Sequence, residues 1–262
     1  MIILKVSLAP NFKWNKYLLV YAFYICRKEQ SEISEEQNFI RFKLNAKYNK
    51  MEALIDLDKH LYDPSIEEVR LVEVPDFNYF TLYGEGPAIF DMHFLQAALT
   101  LFKVDEYARK ILSAKTPMVN ICANGITPVE VLWWKDDRPF DFNMDTIWKW
   151  AIMINEPALI NEDILGLSQK MVLEENPEWS FTQSITLNRL SEGLSLQTSF
   201  KGGRTEGKKS LEKVRSFAKS KNLEFIGKYH EIYFENPEDL KSNQLVTILR
   251  FPVSEIKISQ II

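Results

Sequence analysis

The sequence predicts an α+β fold in which two similar halves share one antiparallel sheet. The main observation is that the order strand, strand, helix, strand, strand occurs twice along the 262 residues. Residues 191–193 (Ser-Glu-Gly) indicate a tight hairpin at the start of the second set. The chain also holds 17 Phe, 10 Tyr and 6 Trp, which suits a sheet that lines a cavity.

The first half begins with two strands, residues 69–74 and 78–83, on either side of a Pro-Asp turn. A helix over residues 90–113 follows, because its apolar side chains recur near the helical period. These side chains are Phe94, Ala97, Ala98, Leu101, Phe102 and Tyr107. Strands over 127–134 and 148–154 complete the first half.

Asn161 can cap a helix that runs to about residue 175, between the two halves. The second half then repeats the order of the first. Its predicted elements are strands over 181–190 and 194–200, a basic helix over 207–221, and strands over 225–234 and 245–251.

The first fifty residues differ from the rest in composition. They lack glycine and carry 9 Lys and Arg against 4 Asp and Glu. Their apolar run over residues 17–26 is shorter than the roughly 20 residues that a membrane span needs, which leaves only a weak surface anchor open. We interpret residues 1–50 as an extension that is either disordered or an upstream start artefact, and we expect translation to begin at Met51. Residues 51–262 then form the domain.

Charge and cysteine content narrow the function classes. Outside the first fifty residues the chain is acidic, which argues against a nucleic-acid partner. Two cysteines and three histidines, without ligand-type spacing, predict no disulfide framework, no metal and no other cofactor. We expect a cytoplasmic protein with reduced thiols, no stable membrane association and a small-molecule ligand as its partner.

Residues 228–237 carry the clearest chemical pattern. Alternation along a strand places Tyr229, Glu231 and Tyr233 on one face, and His230 on the other face with two apolar residues. We expect the His230 face to pack under a helix. A carboxylate is rarely buried among aromatic rings without a partner. Glu231 is therefore either exposed at a sheet edge or placed to bind a ligand.

From residue 52 to residue 253 the chain resembles the GyrI-like small-molecule-binding proteins, which are stand-alone relatives of effector domains from multidrug-sensing transcription regulators. Four stretches carry the resemblance over about three quarters of the chain. They are VRLVEVPDFNYFTLYGEG (69–86), VEVLWW (129–134), WKWAIMINEP (148–157), and GKYHEIYFENP (227–237) with LKSNQLVTILRFPV (240–253) after it.

The resemblance implies two strand-helix-strand-strand halves that form a curved antiparallel sheet with a ligand cavity on its concave face. It implies that aromatic residues and the glutamate at position 231 line this cavity. The matching residues are Trp134, Trp148, Trp150, Tyr229, Glu231 and Tyr233. Adjacent residues point to opposite faces, so only one of Trp133 and Trp134 faces the cavity, and we expect Trp134. Plain core packing is an equally good account of each tryptophan taken singly.

Some proteins of this family hydrolyse cyclopropane rings in genotoxic natural products, using a tyrosine and glutamates. By resemblance, Glu231 matches one glutamate, Glu206 is the counterpart of the second, and Tyr107 is a candidate tyrosine. This chain has Arg204 where the family has a tyrosine in the turn before Glu206. Arg204 and Glu206 are alternatively an exposed loop pair of little energetic value.

Three functions stay open at this point. The first is binding of hydrophobic, planar or cationic xenobiotics, and the second is hydrolysis of electrophilic ring compounds. The third is a protein-binding inhibitor module. A transcription regulator is not expected, because the first fifty residues offer no helix pair for DNA binding.

Overall fold

The computed structural model describes residues 60–65, 67–88, 91–115, 128–143, 145–234 and 245–256. These residues belong to one unit, Ala53–Ile262. The interpretation of residues 1–50 and of a start at Met51 falls outside the described residues and stays a prediction. None of the helices in the described ranges is long and apolar enough to cross a membrane.

The predicted α+β class is confirmed, with nine antiparallel strands and three α-helices in the described residues. The strands are β1 (Arg70–Val74), β2 (Phe77–Pro87), β3 (Val129–Trp134), β4 (Ile147–Glu156), β5 (Thr186–Leu190), β6 (Gly193–Lys201), β7 (Leu223–Phe225), β8 (Tyr229–Tyr233) and β9 (Val246–Glu255). The helices are α1 (Met92–Lys115), α2 (Glu162–Glu175) and α3 (Arg204–Ser220).

The strand order shows how the two halves combine. The sheet runs β1-β6-β9-β8-β3-β4-β2-β5, and the short β7 pairs with β9. Each half contributes three central strands, and the halves meet where β3 pairs with β8. The first strand of each half lies against the other half, since β1 pairs with β6 and β5 with β2. This exchange ties the halves into one sheet.

All three helices pack on the sheet face that carries Glu231, which corrects the expectation for the His230 face. Phe94 of α1, Leu165 of α2 and Val214 of α3 share one buried cluster with Tyr229 and Tyr233. Alternation shows which residues share a face, but not which face the helices cover. Large rings bury the most apolar area, so the aromatic face lies against the helices.

Strands β2 and β9 each extend four residues beyond their predicted ends, to Pro87 and Glu255, and two other predicted strands change more. Thr182–Ser184 forms a 3₁₀ turn before β5, held by Gln169, whose amide donates to the carbonyls of Thr182 and Ile185 at 2.9 Å each. Of the strand predicted over 225–234, residue 225 ends β7, residues 229–233 form β8, and the residues between them are not strand. The division falls at Gly227, which lies so close to Pro252 that a side chain there would overlap the proline ring. Helix α3 begins at Arg204, three residues earlier than predicted.

The other sheet face holds a buried network of charged groups around His230. The imidazole lies 3.0 Å from carboxylate oxygens of both Glu130 and Glu192, and Arg250 donates to Glu192 at 3.2 Å. Burial alone would lower the pKa of His230, but the two carboxylates raise it to about 9. Burial alone would raise the pKa of Glu192, but His230 and Arg250 lower it to about 2. With His230 protonated, two cations balance two anions.

The alkaline stability of the protein tests this network. The pKa of His230 lies above its unfolded value, so its contribution is complete below about pH 6.5 and is lost as the pH rises through about 9. We expect the free energy of unfolding to fall by about 3 kcal/mol across this range. Glu192→Gln should lower the free energy of unfolding by about 3–5 kcal/mol at pH 7. It should also make the free energy of unfolding depend less on pH between about 6.5 and 9.

Chemical denaturation at several pH values measures both effects, and Glu73→Gln on the exposed side of β1 is the matched control. If Glu192→Gln and Glu73→Gln change the free energy of unfolding by the same amount at every pH, the network around His230 does not stabilise the fold.

Candidate binding site around Glu231

The Glu231 carboxylate lies in the middle of the sheet, beneath the helices, and is only 6% exposed. Its strand neighbours are Val131 on β3 and Leu249 on β9. This position excludes the interpretation of Glu231 as an exposed edge residue.

Three side chains donate hydrogen bonds to this carboxylate. Tyr229 donates to Oε1 at 2.8 Å, while Trp133 Nε1 at 2.8 Å and the Tyr233 hydroxyl both donate to Oε2. The two tyrosines reach Glu231 because they lie two residues away on the same strand face. Trp133 reaches it because the β3–β8 register sets Trp133 opposite Tyr229. The carboxylate is therefore solvated by the protein rather than by water.

The tryptophan on the Glu231 face is Trp133, so the expectation for Trp134 was wrong. Trp134 points to the opposite face, where its ring meets Tyr83 at 6.5 Å and lies 3.9 Å from the ammonium of Lys228. No charge pattern fixes this parity, because Glu130 on one face and Glu231 on the other are both buried carboxylates. The register between β3 and β8 decides it.

Trp148 and Trp150 share one face of β4, as their spacing predicted, and the register places that face on the side of Glu231. Both are at most 2% exposed, and neither makes a hydrogen bond to Glu231. Trp148 Nε1 donates to the carbonyl of Asn143 at 3.1 Å, and Phe94 packs against the ring of Trp150 at 5.5 Å. Both pack behind the rings that touch the carboxylate, and a place in the wall of a ligand cavity stays a prediction for both.

Two phenylalanines from the β3–β4 connection cover the site, and the sequence analysis missed them. Phe140 stacks on Tyr229 with 4.1 Å between ring centroids and 13° between planes, and Phe142 meets the same ring edge-on at 5.4 Å. We call these two residues the aromatic cover. Their alternation around Asp141, directly after Pro139, is the signal that could have revealed them.

Two arginines of α3 hold the backbone of the aromatic cover. Arg215 donates to the Phe140 carbonyl at 2.9 Å, and Arg204 donates to the Phe142 carbonyl at 3.5 Å. Phe142 has φ of +60°, which is unfavourable for a bulky residue. Its ring lies over Gly207, where a side chain would overlap it. The cover is thus seated by contacts with α3.

The structure does not bring Glu206 and Tyr107 to Glu231. Tyr107 donates to Glu175 at the end of α2, and this hydrogen bond raises its pKa to about 12. Glu206 is partly exposed and lies 3.9 Å from Lys209, so the suggested Arg204–Glu206 pair is not formed either. The tyrosines that contact the carboxylate are the two neighbours on β8, and catalytic roles for Glu206 and Tyr107 stay predictions.

Burial dominates the electrostatics of Glu231. It raises the pKa of the carboxyl above its usual value, although hydrogen bonds from Tyr233, Tyr229 and Trp133 and the charge of Arg204 oppose the rise. The pKa of Tyr229 is also raised well above its usual value by burial and by Glu231, so it stays a hydrogen-bond donor. Within the described ranges, no group of three or more His, Cys, Asp or Glu is arranged to hold a metal ion.

Comparisons with known proteins locate the fold rather than the function. No protein-family model and no curated protein matches the chain. Among solved structures, an uncharacterized conserved protein from Listeria innocua is similar, with TM-score 0.65 and 22% identity over 75% of this chain and 97% of that one. A hydrolase from Listeria innocua has TM-score 0.59 and 21% identity over 75% and 98% of the two chains. At these identities the similarity shows a shared fold alone.

A substitution at Gly84 on β2 tests whether the ring of Trp150 is fixed in its position. A side chain at Gly84 would overlap the six-membered ring of Trp150, whereas one at Gly166 of α2 would meet nothing within 4 Å. We expect Gly84→Ala to lower the free energy of unfolding by about 1–3 kcal/mol, because the tryptophan must shift. The control Gly166→Ala should raise it by up to about 1 kcal/mol, since alanine favours a helix interior.

Thermal and chemical denaturation compare the two variants. Equal stabilities would show that Trp150 is free to move and is not a fixed wall of the site.

Proposed function

We propose that this protein is a GyrI-like binding protein for planar, hydrophobic, xenobiotic-like small molecules, with Glu231 as the polar anchor of the ligand. One observation carries the proposal. Glu231 is a buried carboxylate among aromatic rings, and in the part of the chain that the structure describes no basic side chain forms an ion pair with it.

The energetic reason lies in the cost of burying a charge. An ionised carboxylate in an apolar site loses its hydration, and hydrogen bonds restore only part of that free energy. The raised pKa of Glu231 reflects the part that is not restored. A ligand with a positive charge or an N–H donor would restore the remaining free energy of the carboxylate. Each contact between a cation and a ring face adds about 0.5–2 kcal/mol.

The stacking of Phe140 on Tyr229 supports a flat ligand. A ring already occupies the face of Tyr229 at van der Waals distance, so the same face can accept a planar ligand once Phe140 moves aside. The connection that carries Phe140 is held to α3 by two hydrogen bonds, from Arg215 to the Phe140 carbonyl and from Arg204 to the Phe142 carbonyl. Hydrogen bonds of this kind contribute about 0.5–1.5 kcal/mol each, and a ligand ring that replaces Phe140 on Tyr229 restores the stacking that its displacement removes.

Hydrolysis of strained rings is the second candidate. It is favoured by a carboxyl with a raised pKa that lies within hydrogen-bond distance of two phenols, because general acid–base catalysis needs such a group. In this reaction water adds across the broken carbon–carbon bond of the ring, with Glu231 transferring the proton. Two of the Listeria innocua fold relatives are described as hydrolases, which is in keeping with this candidate.

Titration with a cationic xanthene dye tests the binding proposal. We expect Glu231→Gln to weaken binding by about 10–100-fold, because the neutral amide removes the anionic anchor. The affinity of the unmodified protein should rise with pH as the Glu231 carboxyl, whose pKa is raised, loses its proton.

Fluorescence anisotropy measures the affinity, and Tyr83→Phe on the opposite sheet face is the control that should bind normally. Equal affinity of Glu231→Gln and the unmodified protein would contradict the proposal.

Incubation with a cyclopropane-containing alkylating agent tests hydrolysis. We expect the ring-opened hydration product with the unmodified protein and at least a hundredfold slower formation with Glu231→Gln, because the acid–base group is lost. Mass spectrometry of the product measures the rate. An unchanged substrate, or equal turnover by Glu231→Gln, would reject the enzymatic candidate and leave binding in place.

A further inference from the structure

We propose that Arg204 forms a second polar subsite of the Glu231 site, and that the ligand is a planar zwitterion. Such a ligand carries a carboxylate, or a comparable anionic group, for Arg204, and a cationic or N–H-bearing group for Glu231. The inference rests on the proposed function, because it assumes that a ligand occupies the Glu231 site.

Arg204 lies across the aromatic cover from the carboxylate. Its guanidinium contacts the backbone of Phe142, the ring of Phe142 packs on Tyr229, and Tyr229 donates to Glu231. The positive charge of Arg204 also lowers the pKa of both Glu231 and Tyr229, which fits a guanidinium within electrostatic reach of the site. A ligand that displaces the cover would therefore meet Arg204 on one side and Glu231 on the other.

The hydrogen-bonding capacity of Arg204 is largely unused. A guanidinium has five N–H donors, and this one makes a single long hydrogen bond of 3.5 Å to the Phe142 carbonyl. In the described part of the chain, no carboxylate forms an ion pair with it, since the nearby Glu206 lies beside Lys209. The remaining N–H groups can donate two parallel hydrogen bonds to the oxygens of a ligand carboxylate.

Arg215 also binds the aromatic cover, and its contacts differ from those of Arg204. It donates to the Phe140 carbonyl at 2.9 Å, and its charge is already paired with Glu212 at 2.9 Å. Arg204 makes the weaker bond to the cover and keeps an unpaired charge. This contrast assigns Arg204 to the ligand as well as to the cover.

The charges of the site then select among ligands. A simple lipophilic cation is attracted by Glu231 but repelled by Arg204, and an anion experiences the reverse. A zwitterion with a planar cationic ring system and an attached anionic group satisfies the two side chains together. Like-charge contacts in a partly buried site oppose binding strongly, so the preference should exceed tenfold.

Two dyes with the same xanthene ring system test this inference. Rhodamine B carries a cationic xanthene and a free benzoate, whereas its ethyl ester carries the cation alone. At pH 7.5 we expect the unmodified protein to bind rhodamine B at least tenfold more tightly than the ester. Arg204→Gln should remove this preference, so that the two dyes bind within about threefold of each other.

Arg215→Gln is the matched control, because it removes a hydrogen bond to the cover without removing an unpaired charge from the site. It should keep the ratio between the two dyes, even if both affinities change. Thermal unfolding confirms that the variants fold.

Equal binding of both dyes by the unmodified protein would overturn the role of Arg204 and leave the proposed function standing, provided that Glu231→Gln still weakens binding. Loss of the preference in Arg215→Gln as well would show that Arg204 acts only through the cover. No binding of either dye would overturn both proposals.

Discussion

The structure depends on one constraint, which is that a carboxylate is buried beneath the helices in the middle of an apolar sheet face. The identities of the neighbouring residues follow from it. The rings that touch Glu231 are Tyr229, Tyr233 and Trp133, which carry a polar donor, whereas Phe94 and Phe140 lie behind them. Phenylalanine at any of the first three positions would leave a carboxylate oxygen with one donor fewer, at a cost of about 1–3 kcal/mol.

A second buried carboxylate, Glu130, makes the significance of Glu231 clearer. It lies next along the sheet but on the opposite face, and it also accepts hydrogen bonds from two phenols, those of Tyr62 at 2.9 Å and Tyr79 at 3.2 Å. Glu130 additionally lies 3.0 Å from the imidazole of His230, so its surroundings include a cation. Glu231 has the phenols, but among the described residues no cation contacts it directly, and Arg204 acts on it only from a distance. This difference between the two carboxylates is the reason for proposing a ligand at Glu231 and not at Glu130.

The sequence predicted what depends on local alternation and missed what depends on register and packing. The α+β class, the repeated order of elements and the grouping of Tyr229, Glu231 and Tyr233 all follow from spacing within single elements. The choice between Trp133 and Trp134 depends on the register between β3 and β8, which no local pattern specifies. The position of Tyr107 depends on how α1 packs against α2, and the aromatic cover depends on the path of a connection. Contacts of this kind arise only in the folded chain.

The aromatic cover links the two polar groups of the site, because Phe142 touches Tyr229 on one side and its backbone binds Arg204 on the other. A crystal structure with bound rhodamine B therefore tests the central claim most directly. The account predicts that the xanthene ring replaces Phe140 on Tyr229, with its amino group directed at Glu231. A dye on the outer surface, with Phe140 still stacked on Tyr229 and Glu231 untouched, would contradict it.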